Sequence, residues 1–374
     1  MKRVVSVFVL LCLFVLPLNV GAISTSARAA ILINADTGEV IYEQNAKEKL
    51  PMASTTKIMT ALLLCESGDM EKTVTVTAEM VRVEGTSMGL LAGDKVSYKA
   101  LLYGMLLASG NDAANVTAYA LGGTVDGFVK MMNEKAQDLG LLNTHFETPS
   151  GLDGEEHYTT AEDLAELARV CLDNKLFATA AASKSATLEY GNPPYRRTLT
   201  NHNKLLKIFE GAIGVKTGFT KKAGRCLVSA AERDGKRVIA VTLKDPNDWE
   251  DHTALLNYGL QQIKTTEISP KNSEYSIPVI SSEIEEIKVE IGEYSVNSLD
   301  GEGFSYKINL PRFVYAPIKE GETVGNIVYL KNGEEIARED IKAQNSAETV
   351  VFKKSFKDTF YVYFRRILNS IWES

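Results

Sequence analysis

The sequence has 374 residues, 45% hydrophobic and 24% charged, with 27 glycines and 10 prolines; this ordinary globular composition excludes disordered, collagen-like and disulfide-scaffold chains. At roughly 100–200 residues per domain, two domains are expected. The formal net charge is −7, and without a basic block to neutralise phosphates nucleic-acid binding is excluded as the main function.

Residues 1–22 read as a signal peptide: Lys2 and Arg3, an apolar run of 13 residues from Val4 to Leu16, then the small-residue site Val20-Gly21-Ala22. The alternative is a retained anchor, but the run is shorter than the ~20 residues a membrane span needs. Cys12 follows Leu11 inside the run, which does not fit a lipoprotein site. The chain is therefore expected to be exported, leaving 39 basic against 48 acidic residues, or −9, in the mature part. The remaining Cys65, Cys171 and Cys226 are odd in number and have no zinc or CxxC spacing. They read as buried small hydrophobes, and an exported chain lacking a disulfide framework suits a bacterial envelope.

Ala29–Ile33 and Val40–Tyr42, joined by Asp36-Thr37-Gly38, predict a hairpin. From Ser54 to Glu66 the pattern turns helical, with Ile58, Met59, Leu62 and Leu63 on one face. Helical patterns dominate to about Leu176, including Tyr98–Leu107, Val125–Leu139 and Thr160–Leu172. Strands return between Val215 and Lys244, where Arg225–Ala230 and Arg237–Thr242 flank the turn Arg233-Asp234-Gly235, and Trp249–Ile263 closes as a helix. The order predicts an α+β domain at about 23–265, an antiparallel sheet covered by helices.

The polar stretch Thr266–Glu274 holds Pro270 and marks a boundary. Beyond it Ile287–Ile291, Ser305–Leu310 and Ile327–Leu330 alternate, the last running into the hairpin signal Asn332-Gly333. Residues 270–348 thus predict a small all-β domain, a sandwich.

In the final stretch, 353–374, Phe356, Phe360, Tyr363, Phe364, Ile367 and Ile371 fall on one helical stripe. Lys353, Lys354, Lys357, Arg365 and Arg366 outnumber Asp358 and Glu373, a net +3 in an acidic chain. A basic amphipathic helix suits a membrane surface, cations meeting anionic headgroups while apolar area enters the acyl boundary. The alternative is a helix docked on its own protein; its terminal place after a polar stretch favours the membrane.

Three short motifs carry the chemistry. Ser54-Thr55-Thr56-Lys57 opens the first helix, so Ser54 and Lys57 stand one turn apart on one face. A serine hydroxyl needs an adjacent base to become a nucleophile, and a desolvated lysine can be that base. Backbone N–H groups at the helix start favour negative charge on an attacked carbonyl oxygen. Alone, the motif is equally readable as a helix cap. Ser109-Gly110-Asn111 lies between two helices and alone reads as a capped turn. Lys216-Thr217-Gly218 opens a strand, where glycine admits a ligand to the edge and an ammonium with a hydroxyl suits a carboxylate. Ser-x-x-Lys, Ser-x-Asn and Lys-Thr-Gly in this order form the motif set of penicillin-recognising serine enzymes.

With Ala53–Thr60, Ser109–Ala114 and Gly214–Thr220, and also Asn201–Leu206 and Ala223–Leu227, nearly the whole mature chain resembles the D-alanyl-D-alanine carboxypeptidases, the low-molecular-mass penicillin-binding proteins. The resemblance implies a β-lactamase/transpeptidase-like fold with a β-rich second domain and an amphipathic tail. It implies removal of the terminal D-alanine from peptidoglycan stem peptides, β-lactams as inhibitors, and a place at the outer face of the bacterial cytoplasmic membrane. Ser54 would be the acyl-ester nucleophile, Lys57 its proton acceptor and Ser109 the relay to the leaving D-alanine. Asn111 would hold the pocket and the substrate amide, and Lys216 and Thr217 the free carboxylate. The oxyanion would be held by the N–H groups of Ser54 and of the residue after Gly218, here Phe219, where some members carry histidine.

Two rivals are weighed against this. A β-lactamase shares the motifs, but no Glu-x-x-Leu-Asn pattern lies between Asn111 and Lys216. A non-catalytic peptidoglycan-binding protein has no need of the Ser54–Lys57 pair. His145, His157, His202 and His252 have no metal spacing and read as structural, and no metal or organic cofactor is expected.

Overall fold

The computed structural model describes residues 23–350. The expected signal peptide and the amphipathic 353–374 helix lie outside the described residues. The chain divides into two compact units, with the break after Ile263.

The first unit contains β1 (Ala29–Asn34), β2 (Val40–Gln44), α1 (Lys57–Glu66), β3 (Thr73–Thr75), β4 (Lys95–Ser97), α2 (Tyr98–Leu106) and α3 (Asn111–Gly122). It continues through α4 (Val125–Asp138), α5 (Ala161–Asp173), α6 (Lys175–Ala182), β5 (Ser185–Gly191), β6 (Pro194–Thr200) and the short α7 (Leu205–Ile208). β7 (Ala212–Thr220), β8 (Gly224–Arg233), β9 (Lys236–Leu243) and α8 (Asp248–Gln262) complete it.

Five antiparallel strands form the main sheet in the order β2-β1-β9-β8-β7. Every residue of β1 is buried, because both faces of the sheet are covered. Ile31 and Ile33 join the central core with Ile58 and Leu101. Leu32 points the other way, against α8, where a side chain at Gly259 would sit 3.0 Å from it. α1 is buried nearly all round, as a helix threaded through a core must be, and it carries Lys57 with it.

The α+β reading, an antiparallel sheet flanked by helices followed by an all-β unit, holds. A second sheet, β3-β4-β5-β6, was not foreseen. Its strands β3 and β4 have three residues each, too short for a period. β6 exposes most of its residues, while β5 turns Ala186, Leu188 and Tyr190 toward the core.

The second unit consists of short strands among residues 264–342 in one two-stranded and two three-stranded sheets. Ile277, Ile287, Val289, Ile327, Tyr329 and Ile341 form one shared core, with Tyr294 stacked 3.9 Å from Tyr329. The hairpin turn at Asn332-Gly333 has φ of 52° and 89°, the mirror-image geometry that matches strand twist.

Candidate active site

Ser54 lies in a single 3-10 turn, Ala53–Thr56, that runs straight into α1. Two side chains brace the turn: the Thr55 hydroxyl donates to Met52 O at 2.6 Å and the Thr56 hydroxyl to Ala53 O at 2.8 Å. One turn on, Lys57 Nζ lies 3.0 Å from Ser54 Oγ, 2.7 Å from Asn111 Oδ1 and 2.6 Å from Ser150 O. A neutral amine has two hydrogens and one lone pair. The two carbonyl-type oxygens can take only hydrogens, so the lone pair is left facing the Ser54 hydroxyl.

Opposite stands the turn between α2 and α3. Ser109 adopts φ +56°, a left-handed conformation costing a non-glycine residue about 1–2 kcal/mol. It is held there from outside: Thr86 Oγ1 donates to Ser109 O at 2.6 Å and Asn111 N to Thr86 O at 2.7 Å. Asn111 Nδ2 donates to Glu84 O at 2.7 Å, which aims Oδ1 at Lys57. Asp112 clasps the same loop: Met88 N and Ala113 N donate to Oδ1, and Ser87 Oγ, Gly89 N and Leu90 N to Oδ2, all within 3.0 Å.

β7 forms the third wall as an edge strand of the main sheet. Lys216, buried, donates from Nζ to Ser109 Oγ at 3.0 Å and to Thr217 O at 2.9 Å. Gly218 passes the nucleophile turn so closely that a Cβ would lie 3.0 Å from Ser54 N and 3.1 Å from Thr55 N. Phe219, 65% exposed, stands at the mouth. Ser54, Ser109, Asn111, Thr217, Gly218 and Phe219 line one cavity of about 460 Å³, with the two lysines beneath it.

Burial sets the electrostatics. Lys57 is pushed well below the usual lysine range, first by loss of solvent and then by the charge of Lys216, with Asp112 opposing. Burial lowers Lys216 to about 7. Among the described residues no cluster of histidine, cysteine and carboxylate side chains could hold a metal.

The structure thus brings together all eight residues singled out in the sequence. It adds Ser150, Glu84, Thr86 and Gly151, which sequence motifs could not flag because three act through backbone carbonyls or close approach and the fourth is one threonine in a loop. Arg225, paired with Asp248 at 2.8 Å, and Trp249 also line the cavity. The segment from Asn201 to Leu206 does two things: Asn201 Nδ2 donates to Ser183 O at 3.0 Å and Asn203 Nδ2 to Gly214 O at 2.9 Å, which pins the start of β7, while His202 and Lys204 line the cavity. The free cysteines are buried. His252 bridges Ser229 and Thr242 inside the sheet, and burial holds it at about 3.

Comparison with known proteins points one way. Residues 18–247 match the family described as D-alanyl-D-alanine carboxypeptidase. Residues 264–349 match the C-terminal domain of penicillin-binding protein 5. The chain is 32% identical over 346 residues to the D-alanyl-D-alanine carboxypeptidase DacF of Bacillus subtilis, covering 89% of each. It is 32% identical over 353 residues to DacC of Escherichia coli, covering 88% of this chain and 86% of that one. The crystal structure of DacD from Francisella tularensis superposes with a TM-score of 0.62 at 29% identity, covering 88% of this chain and 95% of that one. The Streptomyces K15 DD-transpeptidase gives 0.61 at 34% identity over 64% of this chain and 98% of its own.

Proposed function

Because the chain belongs to the D-alanyl-D-alanine carboxypeptidase family of serine peptidases, we propose that Ser54 carries the acyl-enzyme through which it removes the terminal D-alanine from peptidoglycan stem peptides. The observation that supports this most directly is the pair of lysine–serine contacts at 3.0 Å, Lys57 to Ser54 and Lys216 to Ser109, facing one cavity.

Neutral Lys57 takes the Ser54 proton as Oγ bonds to the carbonyl carbon of the penultimate D-alanine. The N–H groups of Ser54 and Phe219 receive the developing oxyanion. As the C–N bond breaks, Ser109 passes the proton to the departing amine, and water then attacks the ester by the reverse route. Asn111 fixes Lys57 and holds the substrate amide. Lys216 and Thr217 bind the free carboxylate, and an anion beside Lys216 draws a proton onto an amine that burial has brought to about 7. This restricts the enzyme to a chain end. The edge of β7 can pair with an extended peptide as an added strand. β-Lactams, which present a carboxylate beside a reactive carbonyl, acylate Ser54 in the same way.

The segments of the chain complete the setting. Export follows from 1–22, residues 23–265 perform catalysis, 270–348 form the β-rich domain, and the basic amphipathic 353–374 stretch lies on the outer face of the cytoplasmic membrane. No helix among the described residues is long and apolar enough to cross a membrane. D-Alanine release from a D-Ala-D-Ala-terminated peptide is the decisive assay. The wild-type protein is expected to release it and the Ser54→Ala variant none; equal release from both would refute Ser54 as the nucleophile.

A further inference from the structure

We propose that His157 is a positioning residue that aims the Ser54 N–H into the oxyanion pocket, acting through Thr56 and the Ala53 carbonyl. The inference rests on the oxyanion role given above to that N–H. His157 is 4% exposed, and its ring bonds to Thr56 and Glu147.

Its hydrogen bonds have only one consistent direction. Glu147 N donates to Nδ1 at 2.9 Å, so Nδ1 carries no hydrogen. Nε2 therefore holds it and donates to Thr56 Oγ1 at 2.7 Å. The Thr56 hydroxyl, its oxygen occupied as acceptor, sends its own hydrogen to Ala53 O at 2.8 Å. Burial, helped by the charges of His145 and Lys222, lowers the ring to about 4, so it stays neutral and this direction persists at physiological pH.

The chain of bonds ends on a carbonyl that matters. Ala53 C=O and Ser54 N–H belong to one planar peptide and point in opposite directions, so fixing the first aims the second. Ala53 does not hold this orientation by its own preference, since its φ is +48°. Gly151 packs directly on the Ala53–Thr56 pair, where any Cβ would fall 1.9 Å from Ala53 O and 2.9 Å from Thr56 Oγ1. The loop that includes Gly151 and leads to His157 also supplies Ser150 O to Lys57. One neutral imidazole thereby ties the oxyanion donor to the loop that orients the base.

The experiment follows acylation of the mature full-length protein by a fluorescent penicillin, separating the limiting acylation rate from the dissociation constant of the initial complex, with thermal unfolding recorded for each variant. In His157→Asn the amide oxygen can replace Nδ1 but nothing reaches Thr56. In His157→Gln the longer amide can still donate to Thr56. The expected result is a limiting rate reduced about tenfold or more in His157→Asn, near normal in His157→Gln, with the dissociation constant within about twofold in both. Thr56→Val should match His157→Asn, and the double variant should be no slower than Thr56→Val alone. A normal rate in folded His157→Asn, multiplying losses in the double variant, a slow His157→Gln, or a loss confined to the dissociation constant would each overturn the inference. Acylation surviving in Ser54→Ala would remove the nucleophile reading as well; a dead Ser54→Ala beside a normal His157→Asn removes only this inference.

Discussion

The charge of Lys216 depresses the proton affinity of Lys57 across the floor of the cleft, so a proton on one buried lysine disfavours a proton on the other. Burial contributes more than the repulsion, but the repulsion makes the proton state of one lysine depend on the other. Lys57 must be neutral to accept the Ser54 proton, so acylation fails as pH falls through its pKa. The acid limb of the acylation profile should therefore lie well below ~10.4, the range of a free lysine. Lys216→Gln removes a positive neighbour and should move the residual limb to higher pH, with much slower turnover of carboxylate-bearing substrate. A limb at the free-lysine position, or one shifted downward in Lys216→Gln, would contradict this coupling.

Two glycines beside the nucleophile differ in what a side chain would cost the fold. A methyl group at Gly218 would press against Ser54 N at 3.0 Å and against Met52 O and Thr55 N at 3.1 Å. Gly218→Ala should crowd the oxyanion pocket and reduce the acylation rate by roughly 10²-fold, the order seen on loss of one oxyanion donor, while the melting temperature changes little. Gly151 has φ +88° and a virtual Cβ 1.9 Å from Ala53 O, in backbone that cannot yield cheaply. Gly151→Ala should lose more than about 2 kcal/mol of stability. Parallel unfolding and acylation measurements decide it, and equal effects on stability from the two substitutions would sink the distinction.

The sequence made the motif residues legible because each is a side chain at a fixed spacing on a single element. Ser54 and Lys57 share a helical face, and Lys216, Thr217 and Gly218 are consecutive on one strand. Ser150 and Glu84 escaped because they contribute carbonyl oxygens, which every residue possesses. The β3-β4-β5-β6 sheet escaped because two of its strands have three residues each and β6 is largely exposed, leaving β5 alone with an alternating face. Asn201 and Asn203 were visible as part of a resembling segment, yet only their hydrogen bonds reveal that Asn201 holds Ser183 at the end of α6 and Asn203 holds Gly214 in β7.

Acid should destabilise the catalytic unit through His252. The unfolded chain binds a proton on this side chain once pH drops below ~6.5, whereas the folded protein refuses it until about 3. Its contribution is thus intact above the unfolded value and is lost as pH falls, about 3 kcal/mol between pH 7 and 4. Urea unfolding at several pH values should show a steep decline for the wild type. His252→Gln should be less stable at pH 7 but decline less steeply, and parallel pH slopes for the two proteins would exclude the assignment.

Asp112 should link the loop over the site to the proton on Lys57. Its carboxylate receives five donors, four of them from Ser87, Met88, Gly89 and Leu90, so it holds in place the segment whose Glu84 and Thr86 orient Asn111 and Ser109. Asp112→Asn keeps the shape but turns an NH₂ group toward N–H donors, and a buried donor left unpaired costs about 1–3 kcal/mol. Acylation should fall at least roughly tenfold as Asn111 and Ser109 lose their alignment. The charge has a separate effect of predictable sign. Asp112 favours the protonated form of Lys57, so its removal should move the acid limb to lower pH, opposite to the shift expected for Lys216→Gln. Because the two substitutions act on the same proton from charges of opposite sign, an acid limb that moves the same way in both would show that loop disorder, and not the field at Lys57, governs the profile.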